Sequence, residues 1–382
     1  MTKGRTWPSA RAFLDWKAVL GILISVGLLW FAFRDVHLAE VWGRVRRADL
    51  LLLTLAGGLA TLPFPLRAIR WRPLLRPAYA GSRFRPRFAA TCIGFMANNL
   101  LPARVGEFAR AYALSRLEPV RMSASFGSLV VERMFDGIVI VLFLLAALAW
   151  PTFPDVSGRD FNTVALWASA VFIGVFAIML AMVARPEQSV RWFEQTVARF
   201  LPGVVRRPVV DALAAFLDGI AAVRDWRLVL RAFAWSLVIW LTGALAIWVG
   251  MLAFDVRLPF VAAVFLQSII SLAVALPSAP GFFGVFEAAA RVGLVEIWGV
   301  ATGQAVAFAI GFHLAGFIPV TLIGLFYVWR LGMSWDEVGR SERVVEEAVE
   351  ARAGDEGTTP PSSSVEPGPG AGPAAAGRKE GR

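Results

Sequence analysis

Apolar runs, most of them near membrane-spanning length, dictate what this chain can fold into. They cover residues 18–33, 49–66, 88–101, 122–150, 163–184, 228–254, 260–276 and 300–329. About twenty apolar residues match the hydrocarbon thickness of a bilayer, and at that depth only helices or closed barrels satisfy every backbone group. Runs this long are too long for barrel strands. With 57% hydrophobic and 17% charged residues, the composition lies outside the balance of a soluble domain. The expected fold class is all-α, a polytopic helical membrane protein.

Charge sets the expected orientation. The segment 1–17 is basic, and the run after it ends at Arg34-Asp35 without a small-residue cleavage pattern, so it is expected to stay as a first transmembrane helix. The second run is interrupted near its end by Pro63 and Pro65. Arg67, Arg70, Arg72, Arg76, Arg83, Arg85 and Arg87 then predict a cytoplasmic loop, as do the arginines between 185 and 231. Within that second basic region, Trp192, Phe193, Val197, Phe200 and Leu201 repeat at helical spacing, and Val209, Leu213, Phe216, Leu217 and Ile220 form a second stripe. These helices lie either on the membrane surface or on the protein's own cytoplasmic face. Arg44, Arg46 and Arg47, between the first two spans, run against the pattern. The expected layout is a cytoplasmic segment 1–17, a membrane domain 18–332, a charged helix 333–353 and a disordered Pro/Gly/Ala/Ser tail 354–382, with both termini cytoplasmic in a cell membrane. The net charge of +10 suits anionic head groups, although a general preference for arginine over lysine explains it equally well. No basic soluble domain points to nucleic acid. Cys92 stands alone and His37 and His313 are far apart, so no disulfide, metal or cofactor is expected.

Two runs are broken in the same way. The first, 88–101, is too short to cross and leads into Asn98-Asn99-Leu100-Leu101-Pro102-Ala103-Arg104-Val105-Gly106-Glu107-Phe108-Ala109-Arg110. It is expected to dip in from the cytoplasm, break at Pro102 and return through Gly106. The second, 260–276, leads into Pro280-Gly281-Phe282-Phe283-Gly284-Val285-Phe286-Glu287, with Arg291 following. Each break combines a proline, a glycine four residues on, a carboxylate and an arginine, and the topology places them in opposite orientations, the pattern of an inverted repeat around a central site. Glu132-Arg133-x-x-Asp136 puts two carboxylates one helical turn apart inside the span that follows the first break. Such charges either lock helices together or face a cavity. Asn98 and Asn99 either line that cavity or cap broken helix ends. The candidate substrate-binding residues are Asn98, Asn99, Arg104, Gly106, Glu107, Arg110, Glu132, Arg133, Asp136, Pro280, Gly281, Gly284 and Glu287, with no catalytic or metal-binding set. Arg104 and Arg110 are expected to face one shared cavity with Glu287.

Arg67-Ala68-Ile69-Arg70-Trp71, the segment from Asn99 to Arg110, Val131-Glu132-Arg133-Met134-Phe135-Asp136 and the segment from Pro280 to Glu287 occur in an order and spacing that resemble a known family. It is the flippase-like transmembrane domain of lysylphosphatidylglycerol synthases and their stand-alone relatives, and the likeness covers residues 15–332. Relatives commonly carry a second glycine where this chain has Phe282-Phe283. The resemblance implies a membrane protein that moves anionic or aminoacylated lipids between leaflets, with Arg104 and Arg110 on the phosphate and the carboxylates balancing them. Residues 334–382 do not resemble the synthases' soluble aminoacyl-transfer domain, so lysylphosphatidylglycerol synthesis is not expected. The rival expectations are a membrane enzyme acting on a lipid phosphate or glycolipid, with Glu107 or Glu132 as acid or base, and a non-transporting partner in envelope biosynthesis. Homo-oligomers are compatible with all three.

Overall fold

The computed structural model describes residues 16–154, 174, 185–196, 226–275, 278–339 and 341. Apart from Gly174, the expected span over 163–184, the stripe from Val209 to Ile220 and the tail over 354–382 lie outside these residues. Every regular element among the described residues is a helix.

The first apolar run forms α1 (Trp16–Phe33). After a turn at Arg34-Asp35 the chain bends by 82° into α2 (Leu38–Arg46), a helix not expected from the sequence. Arg44 pairs with Glu40 one turn back and Arg46 stacks on Trp42. These arginines therefore belong to an amphipathic helix rather than an extended loop. Asp49 then accepts from the Leu51 and Leu52 amides and caps α3 (Leu50–Thr61).

Pro63 and Pro65 open α4 (Pro63–Leu75). Proline is tolerated in the first turn of a helix, where its missing amide has no intrahelical partner to lose. Leu50–Leu75 consequently forms one 26-residue span, about 39 Å at 1.5 Å per residue. Its length corrects the predicted cytoplasmic loop. Arg67 and Arg70 lie inside the span and are buried, and Arg87 is buried in the next helix.

The first broken run is a hairpin: α5 (Phe84–Leu100), a 3-10 turn (Pro102–Arg104) and α6 (Gly106–Leu117). The long helix α7 (Met122–Leu148) follows, and α8 (Pro186–Thr196) carries Trp192 and Phe193. The second half begins with α9 (Trp226–Ala253). Its broken run is α10 (Phe260–Val274), a 3-10 turn (Pro280–Phe282) and α11 (Val285–Arg291), which runs on into a π segment (Val292–Ile297). The last long helix is α12 (Thr302–Arg330), and α13 (Trp335–Gly339) is the described part of the charged C-terminal segment. Of these helices, Leu50–Leu75, Arg227–Ala253 and Thr302–Arg330 are long and apolar enough to cross a bilayer.

The halves pack as an exchanged pair. Helices α3 and α4 lie against α9, the first hairpin packs on α12, and α10 of the second hairpin packs on α7. The Asp49 amide donates to the Ala253 carbonyl (2.9 Å), so α3 starts where α9 ends. Short connections tie the first hairpin's base to the end of α4 and the second's to the end of α9. Those two ends lie at opposite ends of the bundle, so the hairpins enter from opposite faces and their 3-10 turns meet in the middle. The opposed insertion expected from sequence is the arrangement observed.

Candidate functional site

Two polar clusters flank the meeting of the hairpin tips. The larger is built on α4, α6, α7 and α9. Spacings of three residues on α4 (Arg67, Arg70) and four on α7 (Glu132, Asp136) bring four charges onto facing helix surfaces. Arg67 Nη1 donates to Asp136 Oδ2 (2.7 Å). Arg70, fully buried, donates to Asp136 and to Ser236 Oγ (2.6 Å), and its Nη2 lies 3.1 Å from Glu132 Oε1. Arg110 forks onto Glu132 at 2.6 and 3.1 Å, with its guanidinium over the Trp71 ring. Trp240 Nε1 donates to Asp136 Oδ1 (3.0 Å). Arg133 lies 3.3 Å from Glu132, 3.7 Å from Asp136 and 3.9 Å from Glu107. It exposes 40% of its side chain, whereas Arg67, Arg70 and Arg110 are buried. Four guanidinium groups thus face three carboxylates, leaving the cluster with one more positive charge than negative. Continued burial of so many charges depends on mutual pairing, because removing a partner strands the other in low dielectric.

The smaller cluster belongs to the second hairpin. Gly284 has φ 88°, in the left-handed region that glycine enters without a Cβ clash. Its amide donates to Glu287 Oε2 (2.6 Å), and Glu287 Oε1 lies 2.7 Å from His313 Nδ1 on α12. The imidazole stacks on Phe286. Arg291, one turn beyond Glu287, reaches α1: it donates to the Phe31 and Ala32 carbonyls and pairs with Asp35 at 2.9 Å. That hydrogen bond, opposed by desolvation, holds the Asp35 carboxyl below its ordinary range. Ser25 on α1 also accepts from the Ala279 amide (2.8 Å), so α1 braces the turn and the returning arm α11 of the second hairpin.

Between the hairpins lies a cavity of about 290 Å³, lined by Phe64, Phe95, Phe282, Phe286 and Phe317 and by the polar groups of Asn99, Gln267, Ser271 and His313. Arg104 and Phe282, each the third residue of its proline-led turn, both take left-handed backbone angles (φ 56° and 62°). The Arg104 guanidinium lies over the Phe282 ring and donates to the Ala275 carbonyl (2.8 Å) at the end of α10.

The expectation of one cavity shared by Arg104, Arg110 and Glu287 is corrected. Arg110 turns toward α7 and Glu132, Glu287 toward α12 and His313, and Arg104 crosses to the opposite hairpin. A left-handed residue redirects the chain, so Arg104 and Arg110 leave the turn in different directions. The two asparagines also divide. Asn98 accepts from the Gly106 amide (2.8 Å) and reaches Glu107 at 3.4 Å, a capping role. Asn99 donates to Thr321 (2.8 Å) and lines the cavity. Gly106 closes the first hairpin, Pro280 opens the second turn, and Gly281 has φ 71°. Sequence reasoning missed Arg67, Arg70, Ser236, Trp240, Gln267 and His313 as site residues. The signal for the first two was their spacing directly after an apolar run, and for His313 its place inside one.

Residues 18–324 match the family model described as the lysylphosphatidylglycerol synthase TM region. The chain is 30% identical over 336 residues to a protein named glycosyltransferase AglD from Haloferax volcanii, an alignment that takes in 80% of this chain and 53% of that protein. It thus spans about half of that relative's length. It is also 27% identical over 277 residues to a UPF0104 membrane protein of Methanothermobacter thermautotrophicus, covering 68% of this chain and 78% of the relative. No solved structure matches the chain.

Proposed function

The chain belongs to the lysylphosphatidylglycerol synthase transmembrane-region family, and we propose that it moves lipids with anionic or aminoacylated head groups between the leaflets of a cell membrane. The observation that carries this reading is the excess of positive charge in the α4–α6–α7 cluster. A phosphate entering low dielectric needs a compensating cation, and guanidinium groups provide planar two-point hydrogen bonding. Arg133 is the arm that takes the phosphate, because it is the partly exposed guanidinium of the cluster. Arg67, Arg70 and Arg110 are committed to Glu132 and Asp136 and set the field around it. Acyl chains stay in lipid while the head group passes the aromatic-lined cavity where the tips meet. The first hairpin's base carries Arg72, Arg76, Arg83, Arg85 and Arg121, which favours a cytoplasmic placement for that face and for both termini.

The test is leaflet exchange of fluorescent phosphatidylglycerol in proteoliposomes. Wild-type protein exchanges the lipid, and Arg133→Gln lowers the rate about tenfold, the worth of one charge-assisted hydrogen bond. Exchange no faster than in protein-free vesicles overturns the reading. A second reading is favoured by the relative named as a glycosyltransferase: transfer of a sugar to or from a lipid carrier. Mass spectrometry of lipids incubated with the protein separates the two, since a covalent product without leaflet exchange supports the enzyme.

A further inference from the structure

We infer that Glu287 and His313 form a proton-binding site whose occupancy sets the grip on the second hairpin tip, and so couples proton movement to translocation. The site rests on geometry; what it drives rests on the translocation reading above. Four carboxylates are buried among the described residues: Glu118, Glu132, Asp136 and Glu287. The first three have arginine as their ion-pair partner, at 3.9, 2.6 and 2.7 Å respectively. Arginine stays protonated in proteins, so such pairs hold their charge. Glu287 alone has a histidine as its ion-pair partner, the side chain whose charge ordinarily changes between about pH 5 and 8.

The surroundings keep the pair isolated from fixed charge. Helix α10 contributes Gln267 and Ser271 to this region, α5 contributes Asn99 and α1 contributes Ser25, all uncharged. Arg291 on the same helix as Glu287 is spent on the α1 carbonyls and Asp35, and Arg104 is spent on the Ala275 carbonyl above Phe282. Among the described residues no arginine or lysine lies within ion-pair distance of Glu287. His313 lines the cavity, which gives a proton a polar approach.

The step balances. A proton taken up at the pair and held on Glu287 Oε1, as Oε1–H donating to Nδ1, leaves a neutral carboxyl beside a neutral imidazole, and the pair passes from one negative charge to neutral. Glu287 Oε2 holds the Gly284 amide, and hydrogen bonds to an ionised acceptor are about twice as strong as those between neutral groups. Proton uptake therefore weakens the bond that fixes the Gly284 turn, and proton release restores it.

The experiment uses the full chain in proteoliposomes. Difference infrared spectra after a pH step between about 5 and 8 should show a carboxyl or imidazole band change that is lost in both Glu287→Gln and His313→Gln. Exchange of fluorescent phosphatidylglycerol should respond to an imposed pH gradient in wild type and lose that response in both variants. Band changes that persist in both variants overturn the proposal, as does a wild-type gradient response retained in His313→Gln. Should one variant fail to fold by gel filtration, the other decides. Absence of lipid exchange in wild type defeats the translocation reading, while the infrared measurement still decides the proton site.

Discussion

At position 282 a phenylalanine holds a backbone angle that glycine would hold without a Cβ clash. Arg104 does the same in the other tip, and the two side chains stack on each other. A left-handed angle costs a non-glycine residue about 1–2 kcal/mol, and a partly desolvated cation–π pair returns about 0.5–2 kcal/mol. Phe282→Gly should therefore change stability by no more than about 1 kcal/mol in chemical unfolding of the detergent-solubilised protein, since relief and loss nearly cancel. The charged cluster behaves otherwise. Asp136→Asn removes the charge opposite Arg67 and Arg70 and the ionised acceptor for Trp240. The expected loss is about 3–5 kcal/mol, seen as a lowered unfolding midpoint or lost yield. Arg133→Gln, on an arm that is 40% exposed, should cost under about 1 kcal/mol, so its effect on lipid exchange is separable from folding. Sequence alone located Glu132, Arg133 and Asp136 together because spacing on one helix is legible. It could not say that Arg67 and Arg70 were their partners, since arginines counted after an apolar run look alike whether they face solvent or a neighbouring helix.

The first hairpin closes because two glycines let its arms touch. A Cβ on Gly106 would lie 2.2 Å from the Gly94 carbonyl oxygen and 2.4 Å from Asn98 Cγ, and one on Gly94 would lie 2.6 Å from the Gly106 carbonyl oxygen. Backbone cannot step aside as a flexible side chain can, so Gly106→Ala should destabilise by at least about 1–3 kcal/mol and free the amide that Asn98 caps. Gly127→Ala on α7 is the control. Nothing lies within 4 Å of its added methyl, and alanine is favoured over glycine in a helix by up to about 1 kcal/mol. Thermal unfolding of the two variants should shift in opposite directions. The breaks were legible because proline and glycine inside an apolar run leave a helix few ways to continue. The course of α3 into α4 was misjudged for the opposite reason: Pro63 and Pro65 fall where a helix accepts them. The bend into α2 depends on tertiary packing, which periodicity does not record.

For the whole molecule, entry of the hairpins from opposite faces makes a direct prediction. Single cysteines at Ala78, near the first base, and at Arg257, near the second, should label with a membrane-impermeant maleimide from opposite sides of sealed vesicles. Both positions are exposed, and native Cys92 is buried and gives little background. Labelling of both from one side would refute the arrangement. The opposed pair was legible from the recurrence of its break pattern and the placement of arginines between runs, but which helix each charged side chain faces was not. Spacing along one chain fixes a face of a helix, and only packing decides what that face meets. The joint between the tips illustrates this, because its partner is not a side chain. Arg104 holds the Ala275 carbonyl, and a helix ends with about four carbonyls free of intrahelical partners. The joint therefore survives exchange of the residue that accepts it: any side chain at position 275 leaves the carbonyl in place, and one half grips the other through its backbone.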